Sequence, residues 1–215
     1  MIDQMNEDST PRKRTRLKAE DRRAQILSAA GELFGERGYW GASLHDVAQR
    51  CDFTVTGMLY HFESKENLLR TVLDATDQTF IDDVATHMKV SAAGFHLGEP
   101  VRGTSLAHLC QILVRTSSED PGRTRLYSRL ESESTEPSHP AHDYFLRREQ
   151  RLLDTYEVTA AESTSDPKNV ARMAMALISG LRVQWLRDPE NNDLPVMLER
   201  IVEQIPALQV SPTTR

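Results

Sequence analysis

Cysteine is scarce in this chain, with only Cys51 and Cys110 among 215 residues. The pair makes no metal-like spacing, and reduced thiols in a cytoplasmic protein are the plain expectation. No apolar run approaches the length of a membrane span, and none follows the polar start, so neither a transmembrane segment nor a secretory signal is expected. No stretch alternates apolar and polar residues as a half-buried strand would, and no internal repeat is visible. The glycine loop that cradles phosphate and the nucleophile elbow are both missing, and no Cys/His pair stands at a useful spacing. An enzyme built from this chain would have to assemble its site by tertiary proximity alone. No catalytic residue, cofactor or metal is therefore expected, and what remains is an all-α protein. His139 and His142, with Asp143 beside them, straddle a proline turn; they read either as a partial metal site lacking a clear third ligand or as loop histidines capping a helix start.

Acidic residues outnumber basic ones, giving a formal charge of −6, which by itself argues against nucleic acid. The distribution argues otherwise. Residues 10–62 carry nine Lys/Arg against six Asp/Glu, a net +3, whereas residues 63–215 carry 17 against 23, a net −6. A basic head on an acidic body fits a protein that touches phosphate with one end only. The densest basic run is Arg12, Lys13, Arg14, Arg16 and Lys18. It reads either as an arm adding backbone or minor-groove contacts or as a solubilising tail.

The stretch from Glu20 to Leu69 carries the most information. Ile26, Leu27, Ala30, Leu33 and Phe34 recur at helical spacing, and Gly38 can take the positive φ of a C-terminal stop. Ser43 opens S-L-H-D, a capping box completed by Asp46, and begins a second helix from Leu44 to about Cys51. After Asp52, Phe53 and Thr54, a third helix spans Val55 to Phe62. Two short helices joined by a tight turn form a helix-turn-helix unit whose second helix can enter the DNA major groove. Thr54, Val55 and Thr56 stand at the N-terminal end of that helix, Gly57 allows a close backbone approach, and Tyr60 and His61 supply a phenol and an imidazole. Ser64 caps the next helix, where free N–H groups beside Lys65 form an anion site suited to a phosphate. The expected DNA contacts are thus Ser43, Thr54, Val55, Thr56, Gly57, Tyr60, His61 and Lys65.

At these residues the chain resembles the tetracycline-repressor (TetR) family of bacterial transcriptional regulators. The matching strings are ILSAAGELFGERGYWGASLHDVAQRCDFTVTGMLYHF and FESKENLL, covering roughly residues 22 to 70, about a quarter of the chain. Three positions depart from the family's pattern. Asp52 stands where a turn glycine is usual, Leu59 where tyrosine is common, and Val55 where a polar or basic residue is frequent. These departures bear on which DNA sequence is read.

Beyond Leu69 the pattern stays helical. One long helix runs from Lys65 to about Met88, then a loop spans Lys89–Gly103. Further helices are expected over Ser105–Ser118, Pro121 to about Glu133, and Ala141 to about Ala161. Asp166-Pro167 opens a helix with Val170, Met173, Ala174, Leu177, Leu181 and Trp185 at heptad-like spacing, while Ile178 and Val183 give it a second apolar face. A helix apolar on two faces is either deep core or core plus interface. In the resembled family the two C-terminal helices of each subunit pair into a four-helix dimer interface, which here implicates Leu177, Gly180, Leu181, Leu198, Ile201, Val202 and Ile205. The family's middle helices enclose a small-molecule pocket, for which the candidates are Phe80, His108, Gln111, Tyr127, Arg129, Tyr144, Phe145 and Trp185.

The expected organisation is a basic arm (1–19), a helix-turn-helix domain (20–64), a helical effector-binding and dimerisation domain (65–208) and a short tail (209–215). The expected function is a homodimeric, cytoplasmic, ligand-responsive regulator, a repressor by resemblance, whose partners are a double-stranded DNA operator and a small organic effector. The alternatives are an all-α ligand-binding dimer without operator function and a helical enzyme.

Overall fold

The computed structural model describes residues 19–90, 97–99, 101, 104–161 and 163–205. The basic run 12–18, much of the connector before Thr104, and the tail 209–215 lie outside the described residues. Within them the chain forms nine helices and no strand. In order these are α1 (Ala19–Gly41), α2 (Leu44–Arg50), α3 (Val55–Phe62), α4 (Lys65–Met88), α5 (Leu106–Glu119), α6 (Pro121–Glu133), α7 (His142–Ala160), α8 (Pro167–Arg187) and α9 (Leu194–Val202).

Short polar side chains set most of the helix starts. Ser43, Thr54, Ser64, Ser105, Asp120, Asp166 and Asp193 each accept the N–H of the residue three positions on, satisfying a donor the helix itself leaves free. Pro121, Pro167 and Pro195 occupy first turns, where a missing N–H costs nothing. That chemistry places the start of α9 at Leu194, directly after Asp193. Gly38 does take a positive φ, 75°, with a non-helical ψ of 175°, so the first helical run of α1 stops there and a short second piece follows across the kink to Gly41.

Two apolar cores result. One gathers α1, α2 and α3, with Met58 and Phe62 inward, around the first turns of α4, and is closed by Leu126, Tyr127 and Leu130 of α6 and Phe145 of α7. The other gathers the far half of α4 with α5, α7, α8 and α9 around Leu109, Val114, Ile178 and Leu198. The core of the head therefore does not stop at residue 64. It recruits α6, and α1 rides so close to that helix that a Cβ on Gly35 would stand 3.3 Å from the Leu126 backbone nitrogen.

Candidate nucleic-acid interface and regulatory interior

The helix-turn-helix angle depends on the turn between α2 and α3. Asp52 adopts φ 47°, the left-handed conformation a glycine would take more readily, and the Phe53 N–H returns to the Ala48 carbonyl at 2.8 Å. Phe53 then folds back over α3, and a Cβ on Gly57 would lie 2.7 Å from its ring. The close approach that Gly57 permits is thus made by Phe53 of the same chain. With Met58 and Phe62 buried, α3 is held by one side and presents the other outward. Tyr60 stands 87% exposed on that free side, alongside exposed Thr54, Thr56 and Leu59, while Val55 is half-buried. His61 is also half-buried, its ring between those of Phe53 and Phe62 at 6.2 and 6.3 Å, and its carbonyl accepts Arg23.

Two of the expected DNA contacts are engaged within the head. Ser43 forms the full capping box with Asp46, which also meets Arg37 at 3.2 Å. Lys65 donates from Nζ to the Tyr39 carbonyl at 2.6 Å, with its ammonium 4.0 Å above the Tyr39 ring, and burial holds its pKa below the ordinary lysine value. It is first a tie between α4 and the end of α1. Nearby, the Tyr39 N–H donates to Glu133 Oε2 at 2.8 Å, and Arg129 reaches the Glu36 carbonyl at 3.3 Å, so α6 grips α1 by polar contacts as well as apolar ones.

The expected effector-pocket residues divide. His108 and Gln111 lie on the exposed face of α5, because Leu109, Cys110, Ile112 and Leu113 claim its inner side. Arg129 is exposed against α1. These three do not face the interior, which corrects the expectation. Trp185 is buried in the second core. Phe80, Tyr127, Tyr144 and Phe145 do come together, around a polar centre that periodicity did not reveal. Asp77 of α4 accepts from Tyr127 at 2.5 Å, from Tyr144, and from Arg148 Nε at 3.0 Å. The Arg148 guanidinium also lies 4.4 Å above the Tyr127 ring. Burial, reinforced by Asp77, pushes both phenols up, so each remains a proton donor. This network occupies the seam between the two cores: along α4, Leu73 belongs to the head cluster, Phe80 to the other, and Asp77 lies between.

Arg148, Asp77 and the buried Arg182 share one signal in the sequence. Each interrupts an apolar helix stripe, as in Leu73–Asp77–Phe80, Phe145–Arg148–Leu152 and Ile178–Arg182–Trp185. A groove of about 590 Å³ also opens between α1, α4 and α6, lined among others by Gly31, Gly35, Thr76, Arg123 and Leu126, and none of the expected pocket residues lines it.

The expected dimer residues divide as well. Leu181, Leu198 and Val202 are buried in the core of their own protomer, packed against α5, and are not available to a partner; this too is a correction. Leu177, Ile201 and Ile205 are half-buried, Gly180 is exposed, and a Cβ on Gly180 would meet nothing within 4 Å. His139 is buried with Nδ1 accepting the Ala141 N–H, and His142 Nδ1 lies 2.7 Å from the Ser134 carbonyl, so both histidines shape the α6–α7 turn. Burial pushes the Cys110 thiol up to about 12 and raises that of Cys51. No described helix is long and apolar enough to cross a membrane.

Known proteins share this fold. Residues 26–72 match the family model for bacterial regulatory proteins of the tetR family. The HTH-type transcriptional regulator TtgR of Pseudomonas putida is 25% identical over 94% of this chain and 99% of its own length. The structure of NalD, the secondary repressor of the MexAB-OprM multidrug efflux pump in Pseudomonas aeruginosa, superposes with a TM-score of 0.61 at 24% identity, covering 87% of this chain and 96% of that one. A TetR-like transcriptional regulator from a Rhodococcus species does so with a TM-score of 0.64 at 16% identity, covering 88% and 97%.

Proposed function

We propose that this chain, which belongs to the TetR family of bacterial regulatory proteins, is a ligand-responsive transcriptional repressor that binds a near-palindromic operator as a homodimer in the cytoplasm. The observation that carries the DNA-binding half is the orientation of α3, anchored inward by Met58 and Phe62 with Tyr60 87% exposed on the opposite side. A short helix held this way can enter the major groove without losing its own packing. Thr56 and Tyr60 are the side chains best placed to read bases, with Thr54 and the α4 N-terminus toward phosphate. The repressor sense follows the resemblance to NalD, itself named a repressor.

Ligand response is supported by the seam. A small organic effector that loosens or tightens the Asp77 network acts on α4, α6 and α7 at once, and α6 packs directly on α1. Dimerisation is supported by apolar surface left over at the end of the chain: Val183 of α8 and Val196 of α9 are exposed, beside half-buried Leu177 and Ile201.

Fluorescence anisotropy with DNA from upstream of the protein's own gene tests the reading. Saturable binding to one near-palindrome, with two chains per site and half-sites about one helical turn or a multiple apart, is expected. Equal affinity for all duplexes would leave an all-α ligand-binding dimer as the better description.

A further inference from the structure

His139 sits in the turn between α6 and α7 with its side chain fully buried, its ring 5.3 Å from that of Tyr39 and 6.0 Å from that of Trp40. Nδ1 accepts the Ala141 N–H at 3.1 Å, which places the proton of the neutral ring on Nε2. Nε2 makes no hydrogen bond among the described residues and stands 3.5 Å from Glu133 Oε2. That same oxygen accepts the Tyr39 N–H at 2.8 Å, while Lys65 Nζ donates to the Tyr39 carbonyl at 2.6 Å. Both backbone groups of Tyr39 are thus tied to side chains, one from α6 and one from α4, just past the kink at Gly38. The neutral imidazole fits this place and the imidazolium does not. A second proton would sit on Nδ1 and meet the Ala141 N–H donor to donor. The new charge would also compete with the Tyr39 N–H for Glu133 Oε2, the acceptor through which α6 holds α1. Burial opposes that charge most, Glu133 of α6 favours it, and His142 of α7 and Lys65 of α4 oppose it, leaving the His139 pKa below the ordinary histidine value. The other carboxylate at the junction, Glu66 of α4, is engaged by the Tyr39 hydroxyl at 2.9 Å.

We propose that His139 is an acid-sensitive latch: proton uptake by its ring releases α1 from α6 and lowers operator affinity. The proposal rests on the DNA-binding reading and adds a regulatory input to it. Reading two half-sites requires two heads held at one separation and angle. A head freed from α6 has to be ordered again on the duplex, and that ordering weakens binding. The held arrangement, with its neutral ring, binds fewer protons than the released one, so release gains as the pH falls below the ordinary histidine value. His45, exposed on α2, and His61 of α3 act in the opposite sense, because positive charge on the head favours phosphate. The contribution of His139 is therefore read by difference.

The test is operator anisotropy on the full chain at about pH 7.5 and 5.5 and one ionic strength, for wild type and His139→Asn, whose side-chain oxygen keeps an acceptor for the Ala141 N–H. Between the two pH values the wild type loses about fivefold or more affinity relative to the variant, while its helix content by circular dichroism is unchanged. Parallel affinities for the two proteins, or a loss that accompanies global unfolding, overturn the proposal. Linkage supplies a second measurement that needs no variant. Operator binding must lower the pH at which the His139 ring titrates, followed by its NMR resonances in free protein and complex. A midpoint unchanged or raised by DNA overturns the proposal even where His139→Asn fails to fold. The regulator reading fails separately, if the wild type prefers no duplex at any pH. The latch is then decided by hydrogen exchange at the Tyr39 amide: protection that falls as His139 titrates keeps it, and protection indifferent to that titration discards it.

Discussion

Gly38 is constrained twice over, by a backbone conformation that side chains rarely adopt and by a neighbour. Its φ of 75° excludes most residues, and a Cβ there would fall 1.6 Å from Glu133 Oε1. Gly38→Ala must therefore strain the kink and displace the carboxylate that accepts the Tyr39 N–H. A loss of about 1–3 kcal/mol in urea denaturation is expected, with the head loosened from α6. His139 makes a pH-dependent contribution at the same junction. Its ring packs against Tyr39 and Trp40, and burial lowers its pKa even though Glu133 lies 3.5 Å away and pulls the other way. With a pKa lower folded than unfolded, the native state binds fewer protons in the window below the ordinary histidine value. Stability should hold above about pH 6.5 and fall as the pH drops through that window. His139→Gln should flatten this acid limb, which melting curves between about pH 7.5 and 5.5 would detect; parallel curves for the two proteins would rule the histidine out as its source.

Among the elements, α3 and the α4–α6–α7 seam make the sharpest contrast. Tyr60→Ala removes an exposed phenol and should abolish specific operator binding while moving the melting temperature little; His61→Ala, which strips a ring from between Phe53 and Phe62, should cost stability as well. Asp77→Asn leaves the Arg148 guanidinium buried without its counter-charge, and a loss of about 3–5 kcal/mol is expected in chemical denaturation. Much of this level was legible beforehand. Capping residues and three-to-four spacing placed α3, α4 and α6 to the residue, and Asp52 took the turn that its tolerance of positive φ allows. The seam was not legible, because a charge on an apolar stripe looks like an interruption until the facing helix brings its partner. For the same reason His108 and Gln111 were misplaced: polar residues on an amphipathic helix most simply face water, and these do.

At the scale of the whole molecule, periodicity gave α8 two apolar faces without saying which one its own core would claim. The fold assigns Leu181, Leu198 and Val202 inward, leaving Gly180 on the outer side with open space around it. Gly180→Glu should consequently leave the protomer's secondary structure and packing intact while producing monomers in sedimentation velocity and losing operator affinity. A dimer that survives this substitution would move the interface elsewhere. The basic head on an acidic body also implies that operator affinity falls steeply with salt. The core that closes the head contains α6, and this sharing limits how the molecule can come apart. A head joined only through the start of α4 would open by itself, and its amide protons would exchange with solvent at a lower free energy than the rest. With Gly35 against the Leu126 backbone and Glu133 holding the Tyr39 N–H, the amides of α1 and α6 should instead become labile together, at one denaturant midpoint, as a single cooperative unit.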